Sequence, residues 1–263
     1  MSYRTILFEC SGGVARLTLN RPERLNSFND EMHEEVRTVL ACVQEDASCR
    51  VLVLTGAGRG FCAGQDLSDR AVAPGAAATD LGDSIERRYK PLVLALRNLP
   101  LPVIAAVNGV AAGAGANLAL ACDLVIAAHS ASFIQSFAKL GLVPDSGGTW
   151  FLPRLVGRAR AIGVAFLGER LAAAQAADWG LIWRCVADEQ FPAAVEELAQ
   201  RLAAAPTRAL ARIKEAIYSS GERSLAAQLD FERDCQRELG HSRDYAEGVA
   251  AFLEKRSPHF TGR

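Results

Sequence analysis

The sequence predicts an α/β fold, and three observations predict it. Short, largely apolar runs at residues 51–55, 103–107 and 123–127 read as strands buried on both faces. Between these runs the apolar spacing switches to the helical period, giving the order strand, helix, strand, helix, strand, helix, strand. That alternation implies parallel strands with right-handed crossovers. From about Leu152 onward the chain is helical in pattern, with no internal repeat, low-complexity linker or charge block.

Residues 5–9 and 14–20 alternate apolar and polar side chains around Ser11-Gly12-Gly13, the pattern of a hairpin. A turn-rich connection, Asn20 to Asn26, leads to a helix over 30–45, with Met32, Val36, Val39, Leu40 and Val43 on one face and an acidic first turn. The strand 51–55 stops at Gly56-Ala57-Gly58-Arg59-Gly60, and residues 61–67 form a small-residue turn after it. Residues 70–82 carry almost no core-forming side chains and read as a surface loop or lid. Residues 84–99 return to helical spacing, closed by Pro100 and Pro102. The strand 103–107 ends at Asn108-Gly109, and small residues lead into a helix from Ala116. Residues 140–150 read as a loop with one acid, Asp145, among glycines. Helices then follow at 158–167, 172–179, 191–204, 207–219, 224–238 and 242–256. The pattern divides into a core over 1–200 and a helical C-terminal region over 201–263, either a cover or an oligomer surface.

Composition narrows the function classes. At 263 residues with a net charge of −1, the chain has ample material for a core. It has no electrostatic footprint for nucleic acid or an anionic membrane. Seven cysteines are odd in number, scattered and never in a C-x-x-C, which argues against a disulfide framework or a metal site and for a reducing cytoplasm. The N-terminus enters a strand pattern at once without a leader, and no apolar run reaches membrane-spanning length.

The stretch from Pro102 to Gly115 organises the rest. A buried strand, a turn of small residues and a helix start leave backbone N–H groups and the positive end of a helix dipole at one point. Together with the turn at 61–67 it could place two N–H donors side by side, with Gln65 and Ala114 the candidates for an oxyanion hole. Close helix–strand packing would explain the same small residues. Gly109, Gly113 and Gly115 are out of register for a dinucleotide fingerprint, and no Gly-Lys-Ser/Thr follows for a P-loop.

Leu19-Asn20-Arg21-Pro22, Leu54-Thr55-Gly56, Phe61-Cys62-Ala63-Gly64-Gln65-Asp66-Leu67, the run Ala106 to Gly115 and Gly147-Gly148-Thr149 stand in an order and spacing that resembles the enoyl-CoA hydratase/isomerase (crotonase) superfamily. The likeness extends from about Leu17 to Arg256. It implies a crotonase-like ββα spiral core, a coenzyme A thioester as substrate, and no separate cofactor or metal. It also implies assembly as a homotrimer or a hexamer. Hydratases of the family carry two glutamates, at positions that here hold Asn117 and Phe137, so the acid pair that activates water is missing. Asp145 falls where some isomerases carry an aspartate that moves a proton, and in an apolar pocket its pKa is expected to rise. By the same resemblance Arg24, Ala63, Gln65, Asp66, Leu67, Phe252 and Lys255 contact the coenzyme A portion. A dehalogenase of the family uses an aspartate at this loop as nucleophile. The rival readings are a hydratase and a non-catalytic acyl-CoA binder.

Overall fold

The computed structural model describes residues 3–66 and 80–262. Leu67 and all but the last three positions of the 70–82 loop lie outside them. Strands β1 (Ile6–Ser11) and β2 (Val14–Leu19) form an antiparallel hairpin, followed by a 3-10 turn at Pro22–Arg24 and helix α1 (Asp30–Glu45). Asn29 caps α1 by accepting from the Met32 N–H, and Met32, Val36, Val39, Leu40 and Val43 are buried, as their spacing requires.

Strands β3 (Val51–Gly56), β5 (Val103–Val107), β7 (Leu124–Ala128) and β10 (Arg184–Val186) extend the hairpin into a six-stranded sheet. Its order is β1-β2-β3-β5-β7-β10, and every pairing after the first is parallel. Alternate side chains of the central strands enter two different cores. Leu52, Leu54, Val103, Ala105, Val107, Val125 and Ala127 face the core that includes α1. Val51, Val53, Ile104, Ala106 and Ile126 face Val195, Leu198, Ala199 and Ala203 of helix α7 (Phe191–Ala203). Two covered faces explain why these strands read as unbroken apolar runs. Each fully buried Val, Leu or Ile contributes about 1.5–3 kcal/mol.

A second sheet, in the order β4-β6-β8-β9, consists of β4 (Gly60–Cys62), β6 (Val110–Ala112), β8 (Ser132–Ile134) and β9 (Arg170–Ala172). The chain passes from β3 to β4, from β5 to β6 and from β7 to β8, so successive strands alternate between sheets in the same order. This is the ββα spiral. The stretches at 61–67 and 108–115, expected as turns, therefore hold the end of β4 (Gly60–Cys62) and all of β6 (Val110–Ala112), strands of three residues each and too short to show a period of two.

Helix α2 (Leu81–Ser84) runs through a π-helical turn at Ile85–Tyr89 into α3 (Lys90–Asn98). The helix begins before the expected residue 84 because Asp80 caps it, accepting from the Gly82 and Asp83 N–H groups. Helix α4 (Ala114–Ala121) follows β6, and a 3-10 segment at Ser136–Leu140 follows β8. Helix α5 (Gly148–Leu167) is longer than expected and broken at Gly157. Helix α6 (Ala173–Asp178) precedes β10.

Beyond α7, helices α8 (Thr207–Ser219), α9 (Leu225–Gly240) and α10 (Arg243–Glu254) fall close to their expected spans. Arg50 ties them to the core by donating to Thr207 Oγ1 and to the Ala205 and Phe260 carbonyls.

Candidate active site

The site is built where β4 and β6 end. A parallel bridge pairs Phe28 with Gln65. The Phe28 N–H donates to the Gly64 carbonyl at 2.7 Å, and the Asp66 N–H donates to the Phe28 carbonyl at 2.9 Å. In that pattern the N–H of Gln65 itself points to the opposite edge, the edge on which β4 pairs with β6. Tyr89, in the π-helical turn, donates its hydroxyl to Gln65 Oε1 at 3.0 Å and holds the side chain toward the helix. On the other side Ala114 is the first residue of α4, so its N–H has no intrahelical carbonyl to reach and sits at the positive end of the dipole.

Two glycines let these backbones meet. Gly64 has φ +93°, and a Cβ there would lie 2.9 Å from the Ala112 carbonyl oxygen and 3.2 Å from the Ala114 nitrogen. A Cβ on Gly115 would stand 2.2 Å from the Cys62 carbonyl oxygen. Only residues without side chains permit that approach.

The first strand end is braced from below. Asn26, fully buried with φ +57°, donates Nδ2 to the Ala57 and Gly60 carbonyls and accepts from the Arg21 N–H. Arg21 pairs with the Asp66 carboxylate at 2.9 Å and donates to the Ser27 carbonyl. Asp66 is buried and its carboxylate is turned to Arg21, so its contribution at the site mouth is its main chain. Arg24 is exposed on the 3-10 turn, one residue before Leu25, whose carbonyl accepts the Ala63 N–H at 2.9 Å. Arg24, Ala63, Gln65 and Asp66 thus share one neighbourhood, whereas Leu67 lies outside the described residues. The thiol of Cys62 beside them is pushed up to about 12 by burial and stays protonated, so it is no nucleophile.

The acid arrives on the loop before α5. The Asp145 carbonyl accepts the Gly148 N–H and Asn117 Nδ2, both at 2.8 Å, and Asp145 Oδ1 accepts the Ser146 hydroxyl at 2.8 Å. Asn117 stands three residues after Ala114 on α4, so the same helix turn that presents the Ala114 N–H holds the Asp145 main chain. Phe137 is buried, its ring within 3.7 Å of where a Gly113 Cβ would lie, on the same turn. Gln65, Ala114, Asn117, Phe137 and Asp145 are therefore brought to one place. Phe252 lies in the last turn of α10 and Lys255 just past its end, both exposed, with Phe252 beside Ile213, Leu239, Val249 and Phe260 in an apolar groove of the C-terminal helices. Tyr89, Gln135 and Ser146 belong to the site's support and escaped the sequence reading: the partners of Tyr89 and Gln135 lie across the fold and leave no local signal, and Ser146, bonded to its neighbour Asp145, reads as an ordinary turn serine.

Two amide donors can hold the oxygen of a thioester enolate, and one carboxylate can carry a proton between two carbons of it. A ββα spiral with such a site defines an enzyme of the crotonase fold. The chain belongs to the enoyl-CoA hydratase/isomerase family, which it matches over residues 9–263. It is 60% identical over 98% of both chains to the 1,2-epoxyphenylacetyl-CoA isomerase of Escherichia coli K12. It is 51% identical over the full length of both to a Rhodobacter capsulatus protein named a probable enoyl-CoA hydratase. The crystal structure of an enoyl-CoA hydratase from Bacillus anthracis superposes with a TM-score of 0.90, at 34% identity over 99% of this chain and 100% of that one.

Proposed function

We propose that this protein is an acyl-CoA isomerase that opens a ring-1,2-epoxyphenylacetyl-CoA to the seven-membered oxepin thioester and moves a β,γ double bond into conjugation with the thioester. One observation carries the reading: the acid Asp145 is hydrogen-bonded through its backbone to the helix turn that presents the Ala114 amide, while Asn117 and Phe137 around that turn are neutral. For the double-bond shift, Asp145 takes a proton from C2, and the C–H electron pair forms a C1=C2 bond as the C1 carbonyl π pair moves onto oxygen. The dienolate so formed keeps its C3=C4 bond; protonation at C4 then restores the carbonyl and leaves the double bond at C2–C3. The dienolate oxygen rests on the Gln65 and Ala114 amides, and the same proton returns at C4. Nothing is gained or lost from the substrate. The 60% identity to an isomerase named for the epoxide substrate supports the ring reaction.

Arg24 and the main chain of Ala63 to Asp66 hold the coenzyme A portion in this reading, with Phe252 and Lys255 at its nucleotide end. Coenzyme A is part of the substrate, and neither a cofactor nor a metal enters the chemistry. The helical region 201–263 covers the site and joins subunits into a trimer or hexamer.

Turnover of a β,γ-enoyl-CoA by the wild-type protein and by Asp145→Asn tests this. The substitution is expected to lower kcat about 10²- to 10⁴-fold, the range for a general acid–base group, with thioester binding retained. Full activity in the variant would remove Asp145 from the mechanism. Wild-type protein that binds the thioester and leaves it unchanged would make it a non-catalytic binder. The Rhodobacter capsulatus relative gives the hydratase reading its support, and rapid conversion of a trans-2-enoyl-CoA to the 3-hydroxyacyl-CoA would establish it.

A further inference from the structure

Proton transfer by a lone acid depends on where that acid is held, and two buried amides bear on it. Asn117 is fully buried and Gln135 is 2% exposed. Asn117 Nδ2 donates to the Asp145 carbonyl at 2.8 Å, and Gln135 Nε2 donates to Asn117 Oδ1 at 2.7 Å. The polarity of this chain has a single solution. A carbonyl can only accept, so the nitrogen of Asn117 must face it, and its oxygen must then face the nitrogen of Gln135. Gln135 Oε1 is left buried with no partner among the described residues, a cost of about 1–3 kcal/mol that the fold carries to keep the nitrogen end on Asn117. A Cβ on Gly148 would come within 2.5 Å of Asn117 Nδ2, so only glycine there leaves the amide its place. Beyond it, Ser146 is held at φ +51° while its hydroxyl donates to the Asp145 carboxylate.

We propose that Asn117 and Gln135 are positioning residues for the proton transfer. They form a neutral amide relay that pins the Asp145 main chain to the first turn of α4 and so sets the reach of its carboxylate toward a thioester held on the Gln65 and Ala114 amides. The inference rests on the isomerase reading and deepens it.

Asn117→Asp is the decisive variant, because it keeps the shape and the acceptor for Gln135 while replacing the donor with a second acceptor facing the Asp145 carbonyl. At about pH 8 its kcat is expected to fall about 10- to 100-fold, with KM within about threefold of wild type, the signature of a misplaced rather than a missing group. A buried carboxyl at 117 has its pKa raised by desolvation and by the facing carbonyl. As the pH falls toward about 6 it takes up a proton, and the neutral acid then donates to Asp145 and accepts from Gln135 as the amide did. The titratable neighbour across this contact is the Asp145 carboxyl, present in both proteins, and the ratio of their kcat values removes the pH dependence the two have in common. That ratio is expected to climb several-fold from about pH 8 to about pH 6, which lost packing alone would not produce. Wild-type kcat at the upper pH, or a ratio that stays flat, overturns the relay. If the variant fails to fold, Gln135→Met, which keeps bulk and removes the donor, is expected to lower kcat with KM unmoved, and wild-type kcat there overturns the relay equally. Failure of the isomerase reading is separate, since it shows in the wild-type protein before any substitution.

Discussion

At Gly64 backbone conformation and space make the same demand. Its φ of +93° disfavours any side chain, and the space a Cβ would take is bounded by the Ala112 carbonyl and the Ala114 nitrogen. Gly64→Ala is expected to destabilise the protein by about 1–3 kcal/mol, read as a lower urea midpoint. In the proposed mechanism the next residue, Gln65, supplies an oxyanion donor, so kcat is expected to fall too, by up to about 10²- to 10³-fold, the effect of losing one such donor. An unchanged midpoint and rate would show that the two turns are not in close register. At this scale the sequence is legible where backbones meet: glycines and alanines at two strand ends mark the turns that approach each other at Gly64 and Ala114. It is silent where function depends on partners. Nothing around Asn117 tells that its amide meets Gln135 and the Asp145 carbonyl, and Asp145 itself reads as a turn aspartate until a family pattern is laid over it.

Elements whose length and period match their burial were legible, and those held by neighbours were not. Helix α8 falls at its expected span because thirteen residues repeat the helical spacing. Strands β4, β6, β8 and β9 have three residues each, and pairing with one another decides their structure. The attachment of α8 also depends on partners. Asp123 accepts Lys214 Nζ at 3.0 Å, the Tyr218 hydroxyl and the Val103 N–H, tying the starts of β5 and β7 to α8. Desolvation lowers the pKa of Lys214 against the pull of Asp123, and Lys214 also donates to the Leu96 and Leu101 carbonyls. Removing the carboxylate leaves a buried ammonium without its counter-charge. Asp123→Ala is therefore expected to cost about 3–5 kcal/mol by chemical denaturation, and Asp123→Ala with Lys214→Met to recover much of it. Equal losses in the single and double variants would mean that the cluster contributes packing alone.

The whole molecule exposes large apolar side chains on several helices. Leu155, Ile162 and Phe166 are exposed on α5, Leu225 and Leu229 on α9, and Phe252 and Leu253 on α10, with Phe166 74% and Phe252 82% exposed. Exposed large apolar side chains that adjoin one another mark association sites. The net charge of −1 opposes self-association little. The protein is therefore expected to sediment as a trimer or hexamer at micromolar concentration, and Phe166→Asp to shift it toward monomer without loss of helical signal. Activity separates two roles for the C-terminal helices. If Phe252 and Lys255 complete a neighbour's coenzyme A site, the dissociated variant loses affinity for the thioester, so KM rises while Asp145 and its amide partners keep kcat. If each protomer holds its thioester alone, KM stays constant through dissociation. A wild-type protein that sediments as a monomer with full activity would show that the exposed face serves something other than self-assembly.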